Sequence, residues 1–221
     1  MSVLLLVRHG QASLGADDYD RLSDLGHEQG RALGRHWADL GLDIDRVFVG
    51  PRRRHRETYA AAAEALGNGR RALPEATPLP ELDEHQGPQV LEHHLGRPDK
   101  GEAAAYLRRY QQGTRRWIEG SLQTPPGLES WSQFRQRLDR GLRRIREDVR
   151  GRGKTVVAFT SGGPVAAAAG AVLGLDDPQT LELSWRVRNG AVTQLHFSDR
   201  GLGLATFNEV PFVDPRLITF I

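Results

Sequence analysis

Five consecutive apolar residues at positions 3–7 stop abruptly at the polar tripeptide Arg8-His9-Gly10. A short apolar run with a sharp polar end is typical of a buried strand. Behind Ser23, apolar residues recur at helical spacing over positions 25–40, and serine is favoured at the start of a helix. The pattern therefore predicts a strand, a loop and an amphipathic helix in that order.

The same order of strand and helix recurs twice along the chain. Residues 46–49 predict a short buried strand, and residues 51–67 predict a helix with Pro51 at its first position and Gly67 at its end. Residues 154–174 combine an apolar strand, a tight Ser-Gly-Gly-Pro turn and a helix of small residues. Strands that alternate with helices indicate a mainly parallel sheet.

The middle of the chain has a different pattern. Proline and glycine are scattered over residues 68–129, and one helical face then carries six apolar residues: Trp131, Phe134, Leu138, Leu142, Ile145 and Val149. We predict a helical insertion at about 80–150 within a single domain spanning 1–221. Alternating segments at 191–197 and 203–208 predict antiparallel strands that complete the sheet. The expected fold class is α/β, with three α/β/α layers around a mainly parallel central sheet.

Composition narrows the available chemistry. The 221 residues include no cysteine, which excludes thiol nucleophiles, disulfide frameworks and zinc ribbons and leaves histidine, serine and carboxylates. No apolar segment approaches the ~20 residues of a membrane helix, and the N-terminal run is shorter than a signal-peptide core, so we expect a cytoplasmic protein without a membrane partner. A formal net charge of +2 gives no general attraction to nucleic acid.

Three predicted strands end at polar turns. In an open parallel sheet the reactive crevice lies beyond the carboxyl ends of the strands. The turns at residues 8–10, 50–54 and 160–163 are therefore expected to share one edge of the sheet.

Three short motifs in this chain resemble those of the histidine phosphatase superfamily, which includes the cofactor-dependent phosphoglycerate mutases. They are R-H-G at 8–10, S-x-x-G-x-x-Q from Ser23 to Gln29, and P-x-x-R-x-x-x-T from Pro51 to Thr58. The resemblance spans nearly the whole chain and ends in an N-G-A-V-T strand at 189–193 and a F-N-E-V-P-F tail. It implies a phosphatase whose histidine in R-H-G is the nucleophile.

The residue chemistry agrees with that implication. A neutral imidazole attacks phosphorus near neutral pH without a metal, because its ordinary pKa is about 6.5. His9 would then become a phosphohistidine. Guanidinium groups fit phosphoryl oxygens in a bidentate manner, so Arg8 and Arg54 are the predicted phosphate clamp. This chemistry calls for no cofactor and no metal, and its partner is a small phosphorylated substrate or phosphate.

The reaction also needs a general acid that protonates the leaving group and later activates water. The resemblance implies a glutamate from an L-x-E motif, and two registers of that motif compete here. We favour Glu84, in Leu82-Asp83-Glu84, because the following stretch resembles family phosphatases; Glu81, in Leu79-Pro80-Glu81, is the alternative.

The chain departs from the family pattern at its third strand turn. Where the family usually has a second histidine, this chain has Ser161, followed by Gly162. Ser161 and nearby backbone amides, including that of Gly162, are predicted as extra phosphate donors. A serine hydroxyl donates one uncharged hydrogen bond, and losing a donor from an anion site typically costs on the order of 10²–10³ in rate. We therefore expect slow turnover, and a cationic His85 is one group that would supply the missing charge.

The same residues allow two other functions. A weakened phosphate-binding or regulatory pseudoenzyme is the alternative function, and a phosphoglycerate mutase ranks below both because G-A-D-D-Y-D-R-L follows R-H-G in place of a longer tryptophan- and asparagine-rich segment. Arg52, Arg53 and Arg56 are expected on a solvated helix face. A metal site at His93 and His94 is not predicted, since adjacent helical residues do not share a face.

Overall fold

The computed structural model describes residues 1–13, 18–67, 72–96, 103–149, 151, 153–198 and 201–220. Its strands are β1 (Ser2–Arg8), β2 (Arg46–Val49), β3 (Ala76–Pro78), β4 (Thr155–Thr160), β5 (Val192–Ser198) and β6 (Gly201–Glu209). Its helices are α1 (Asp24–Asp39), α2 (Arg53–Gly67), α3 (Gly87–Leu95), α4 (Ala103–Ile118), α5 (Trp131–Asp148), α6 (Gly162–Leu173) and α7 (Asp177–Ser184). The predicted insertion includes positions 97–102, which lie outside the described residues.

The strands form one sheet in the order β3-β2-β4-β1-β5-β6. The first four strands in this order run parallel to one another, while β5 is antiparallel to β1 and β6 is antiparallel to β5. The prediction of an α/β fold with a mainly parallel sheet and antiparallel closing strands is thus confirmed.

Helices cover both faces of this sheet, and β1 shows why its whole apolar run is buried. Its alternate residues Leu4 and Leu6 belong to a core that includes apolar residues of α5 and α6. Leu5 and Val7 point to the opposite core, with apolar residues of α1 and α2. A strand buried on both faces is apolar throughout, because alternate side chains enter different cores.

Two boundaries differ from the sequence pattern. Helix α2 begins at Arg53, so the prediction that Pro51 is its first residue was wrong. The N–H groups of His55 and Arg56 both donate to the carbonyl of Arg52, which makes Arg52 the residue just before the helix. Strand β3 was not predicted, because its three residues at the sheet edge include Pro78 and carry no alternation.

Between β3 and β4 the chain forms α3, α4 and α5. Helix α5 begins with a capping box in which Ser130 accepts from the N–H of Gln133. All six apolar residues predicted on its face are buried. Within the described part of the chain, no helix is both long enough and apolar enough to cross a bilayer.

Candidate active site

The carboxyl ends of three parallel strands place the predicted site residues side by side. Arg8 at the end of β1 is in register with Thr160 at the end of β4, so His9 and Ser161 leave neighbouring strands about 4.8 Å apart. Beyond β2, the N–H of Gly50 donates to the carbonyl of Phe159 at 3.0 Å. This bond brings the first turn of α2 to the same edge.

His9 is held as a neutral imidazole with one nitrogen available. Its ring is 5% exposed, and Nδ1 lies 2.7 Å from the carbonyl oxygen of Gly10. A carbonyl only accepts, so Nδ1 carries the hydrogen and Nε2 keeps its lone pair. Burial, followed by the positive charges of Arg54 and Arg8, holds the pKa of His9 well below its ordinary value.

The S-x-x-G-x-x-Q motif fixes the turn that carries His9. A Cβ at Gly10 would overlap the backbone of Gly26, and a Cβ at Gly26 would overlap the backbone of Gln11, so both positions need glycine for this close approach. The buried Gln29 accepts from the N–H of Gln11 at 2.9 Å and donates to the carbonyl of Leu217 at 2.8 Å. The motif thus joins the turn to α1 and to the C-terminal segment.

Arg8 extends from the end of β1 beneath the C-terminal segment. Its guanidinium donates to the backbone carbonyls of Val187 and of Phe220, the latter at 2.9 Å. Burial lowers the pKa of Arg8 to about 10, which leaves it cationic at neutral pH. Its Nε is buried without a hydrogen-bond partner among the described residues. A Cβ on Gly162 would lie 3.5 Å from that Nε, so Arg8 lies beside the start of α6.

Arg54, on the first turn of α2, is a buried cation. It is 6% exposed, its Nη1 donates to Asp20 at 3.1 Å, and its guanidinium carbon lies 5.5 Å from the ring centre of Tyr19. Its Nε, like that of Arg8, is buried without a partner in the described part of the chain. Buried guanidinium N–H groups are normally hydrogen-bonded, and a phosphoryl group is an acceptor that suits two of them.

Glu84 lies at this edge, whereas Glu81 points away from it. One carboxylate oxygen of Glu84 accepts from the N–H of Gly163 at 3.2 Å, and the other accepts from the N–H of His85 at 2.9 Å. Burial raises the pKa of Glu84, but His85, these two N–H groups and Arg54 together hold that pKa below its ordinary value. Glu81 instead pairs with Arg144 of α5 at 3.0 Å.

Ser161 is fully buried immediately before α6, and its hydroxyl contacts a residue that sequence reasoning missed. Nε2 of His55, on α2, lies 2.7 Å from the Oγ of Ser161. The His55 ring is also fully buried, and its centre lies 5.7 Å from that of His9. The signal in the sequence was the position of His55 three residues before Thr58, which places both on the buried face of α2.

The remaining histidines and arginines fall into other environments. His85 packs against the rings of Trp117, Trp131 and Phe134, with its Nε2 3.7 Å from Glu84. His93 and His94 are exposed on α3, and the described residues hold no cluster of three or more potential metal ligands. In the arginine run, Arg53 and Arg56 are exposed, while Arg52 is half-buried against Asp83 at 2.5 Å.

Comparison with known proteins agrees with this geometry. The sequence pattern of the histidine phosphatase superfamily, branch 1, matches residues 4–210, so the chain belongs to that superfamily. The resemblance seen in the three motifs is therefore confirmed. No curated protein matches the chain.

Solved structures of three proteins show the same fold at low sequence identity. The alpha-ribazole phosphatase from Shigella flexneri is 19% identical with a TM-score of 0.65, over 94% of this chain and 96% of that one. A phosphoglycerate mutase from Bacillus anthracis is 15% identical with a TM-score of 0.66, over 96% and 94%. The phosphoserine phosphatase from Entamoeba histolytica is 15% identical with a TM-score of 0.64, over 96% and 99%.

Proposed function

We propose that this protein is a phosphomonoester phosphatase that acts through a phosphohistidine on His9. One set of observations carries the proposal: Nε2 of the buried His9 imidazole keeps its lone pair, the positive charges of Arg54 and Arg8 act on that ring, and the Nε–H of each arginine is buried without a partner among the described residues. Such a site offers a nucleophile for phosphorus and donors for the oxygens around it. Two of the three solved structures compared above are named as phosphatases, which favours hydrolysis over a mutase reaction.

The reaction proceeds in two displacements. The lone pair on Nε2 of His9 forms the N–P bond as the bond from phosphorus to the leaving oxygen breaks, and protonated Glu84 gives its hydrogen to that oxygen. Water then attacks the phosphohistidine while the Glu84 carboxylate takes its proton, the N–P bond breaks and phosphate leaves. Arg8 and Arg54 hold the phosphoryl oxygens in both steps, and Ser161 and the Gly162 amide donate further hydrogen bonds.

The protonation states of His9 and Glu84 favour activity under acid conditions. The lowered pKa of His9 keeps its lone pair available below pH 6.5. The pKa of Glu84 is also lowered in the free site, so an appreciable fraction of its protonated form, which the leaving group requires, is present only under acid conditions. Both directions favour the acid-phosphatase type. Because the hydroxyl of Ser161 is uncharged, turnover is expected to be slower than a cationic donor at that position would allow.

A weakened phosphate-binding or regulatory protein is the second candidate. It is favoured by Ser161, because an uncharged hydroxyl at that position weakens catalysis while both arginines remain to bind phosphate.

Hydrolysis of p-nitrophenyl phosphate by the wild type, by His9→Ala and by His93→Ala separates the two candidates. A phosphatase predicts turnover by the wild type and by the exposed control His93→Ala, and background rates for His9→Ala. Equal rates for all three proteins would contradict a role for His9. Binding of inorganic phosphate without hydrolysis by the wild type would support the second candidate.

A further inference from the structure

The contact between His55 and Ser161 joins two elements at the floor of the site. His55 lies on the first turn of α2 and Ser161 directly precedes α6, and both are fully buried. The 2.7 Å separation of Nε2 and Oγ is that of a good hydrogen bond. The imidazole also lies next to that of His9, with the two rings inclined by 35°. A buried polar pair in this place needs an explanation beyond packing.

The backbone is shaped to accept the His55 ring. A Cβ at Gly50 would overlap Nδ1 of His55 and would lie 2.9 Å from its Cε1. Any residue other than glycine at position 50 would therefore push the ring away from Ser161. Gly50, directly after β2, thus leaves the space that the His55 ring on α2 occupies.

Ser161 directly precedes α6, but its hydroxyl does not cap that helix. Ser23, Ser130 and Asp176 each accept a hydrogen bond from the third N–H of the helix they start. Ser161 makes no such bond with α6. Its hydroxyl has His55 as its partner instead.

The environment of His55 indicates which nitrogen carries the hydrogen. Burial, with Arg54 and Arg52 next, holds the pKa of His55 well below its ordinary value, so the ring is neutral and has one N–H. Nδ1 lies against the backbone of Gly50, which raises the pKa of His55 to a smaller extent than burial and the arginines lower it, but Nδ1 makes no hydrogen bond of normal geometry with a described residue. An unpartnered acceptor is better tolerated in a protein interior than an unpartnered N–H. The hydrogen therefore belongs on Nε2, which donates it to Ser161.

We propose that His55 is a positioning residue that fixes Ser161 as a hydrogen-bond donor to the phosphoryl group; this inference rests on the proposed function. Nε2 of His55 donates to the Oγ of Ser161, whose own hydrogen is then directed to a phosphoryl oxygen at His9. A hydroxyl that already accepts a hydrogen bond is polarised and is a stronger donor. The His55 imidazole thus supplies part of the hydrogen-bond strength that an uncharged serine lacks.

The opposite direction of this hydrogen bond would imply a different mechanism. If Ser161 donated to His55, the imidazole would act as a base and Ser161 would be the nucleophile. Ser161 is 0% exposed whereas His9 is 5% exposed, so Ser161 is the less accessible nucleophile of the two.

A double-mutant cycle tests the proposal through kcat and KM for p-nitrophenyl phosphate. The variants are His55→Ala, Ser161→Ala, the double variant and His55→Gln, whose amide N–H reaches about as far as Nε2. We expect Ser161→Ala to lower kcat by on the order of 10²-fold and His55→Ala by at least ~10-fold, with smaller changes in KM. The double variant should be no slower than Ser161→Ala, because His55 acts only through Ser161. His55→Gln should recover most of the rate.

The outcomes separate this inference from the proposed function. The role of His55 would be overturned if the losses in kcat multiply in the double variant, or if His55→Ala keeps the wild-type kcat. In either case, an inactive His9→Ala would still support the phosphatase. Full activity of His9→Ala together with a phosphoserine at position 161 would overturn both. Thermal unfolding checks that each variant folds, and a rate recovered by His55→Gln shows a donor function that packing alone does not explain.

Discussion

The side chain of Thr58 joins the turn that carries the nucleophile to the helix that carries the clamp. Its Oγ1 accepts from the N–H of Gly10 at 3.0 Å and donates to the carbonyl of Arg54 at 2.7 Å. Thr58 is fully buried, so both bonds lie away from water. One hydroxyl thus sets the spacing between His9 and Arg54, which gives the threonine of the P-x-x-R-x-x-x-T motif a physical role.

Thr58→Val keeps the shape of the side chain and removes both bonds. We expect a loss of about 1–3 kcal/mol in the free energy of unfolding, because the N–H of Gly10 is left buried without a partner. The rate should fall as well, since His9 directly precedes Gly10. Urea denaturation and steady-state kinetics measure the two effects, and Thr58→Ser, which keeps the hydroxyl, is the control. A Thr58→Val protein as stable as Thr58→Ser would contradict this role.

Glu84→Gln and Glu81→Gln distinguish the two candidate acids. Loss of a general acid matters most for a poor leaving group, so Glu84→Gln should slow hydrolysis of an alkyl phosphate by roughly 10²–10⁴-fold and that of p-nitrophenyl phosphate much less. Glu81→Gln should leave both rates close to those of the wild type, because Glu81 pairs with Arg144 on α5. A larger loss for Glu81→Gln would assign the acid to position 81.

Asp20 and the phosphoryl group compete for Arg54. Asp20→Asn removes the competing carboxylate, and an ion pair of about 1 kcal/mol predicts roughly fivefold tighter inhibition by inorganic phosphate. Asp18→Asn is the matched control, since it removes the same charge from a neighbouring residue that pairs with Arg53 at 2.8 Å. Equal effects of the two substitutions would show a general charge effect and not competition at Arg54.

Stability should depend on pH through two buried histidines. The pKa values of His9 and His55 lie below about 6.5 in the folded protein, so the unfolded chain binds protons first as the pH falls. Stability is therefore complete above about pH 6.5 and is lost below it, by up to ~1.4 kcal/mol per pH unit for each histidine. His55→Gln should reduce the slope between pH 6.5 and 5 in urea titrations, whereas the exposed His93→Gln should not. Parallel slopes for both variants would be inconsistent with a neutral, buried His55.

Hydrophobic periodicity predicted most of the fold. Three elements had a pattern with one physical interpretation: the apolar run of β1, the small-residue helix α6 and the single apolar face of α5. The short edge strand β3 was missed because three residues carry too little pattern. The start of α2 was misplaced because Pro51 suits the turn before a helix as well as its first position.

Only part of the site could be predicted from the sequence. His9, Arg8 and Arg54 follow strand ends, and the topology of a parallel sheet is enough to bring them together. His55 stands within an arginine run that resembles a solvated face. Its role depends on its contacts with the nearby Gly50 and with Ser161, which is distant in sequence. The contact of Arg8 with Phe220, 212 residues further along the chain, likewise depends on tertiary packing.

Trapping of the phosphoenzyme is the sharpest test of whether His9 is the nucleophile. The protein is mixed with a ³²P-labelled phosphate monoester and quenched within one turnover, and the labelled peptide is mapped by mass spectrometry. If His9 is the nucleophile, we expect an alkali-stable, acid-labile label on His9 that is absent from His9→Ala. Turnover without any label on His9, or with an acid-stable label on Ser161, would contradict it.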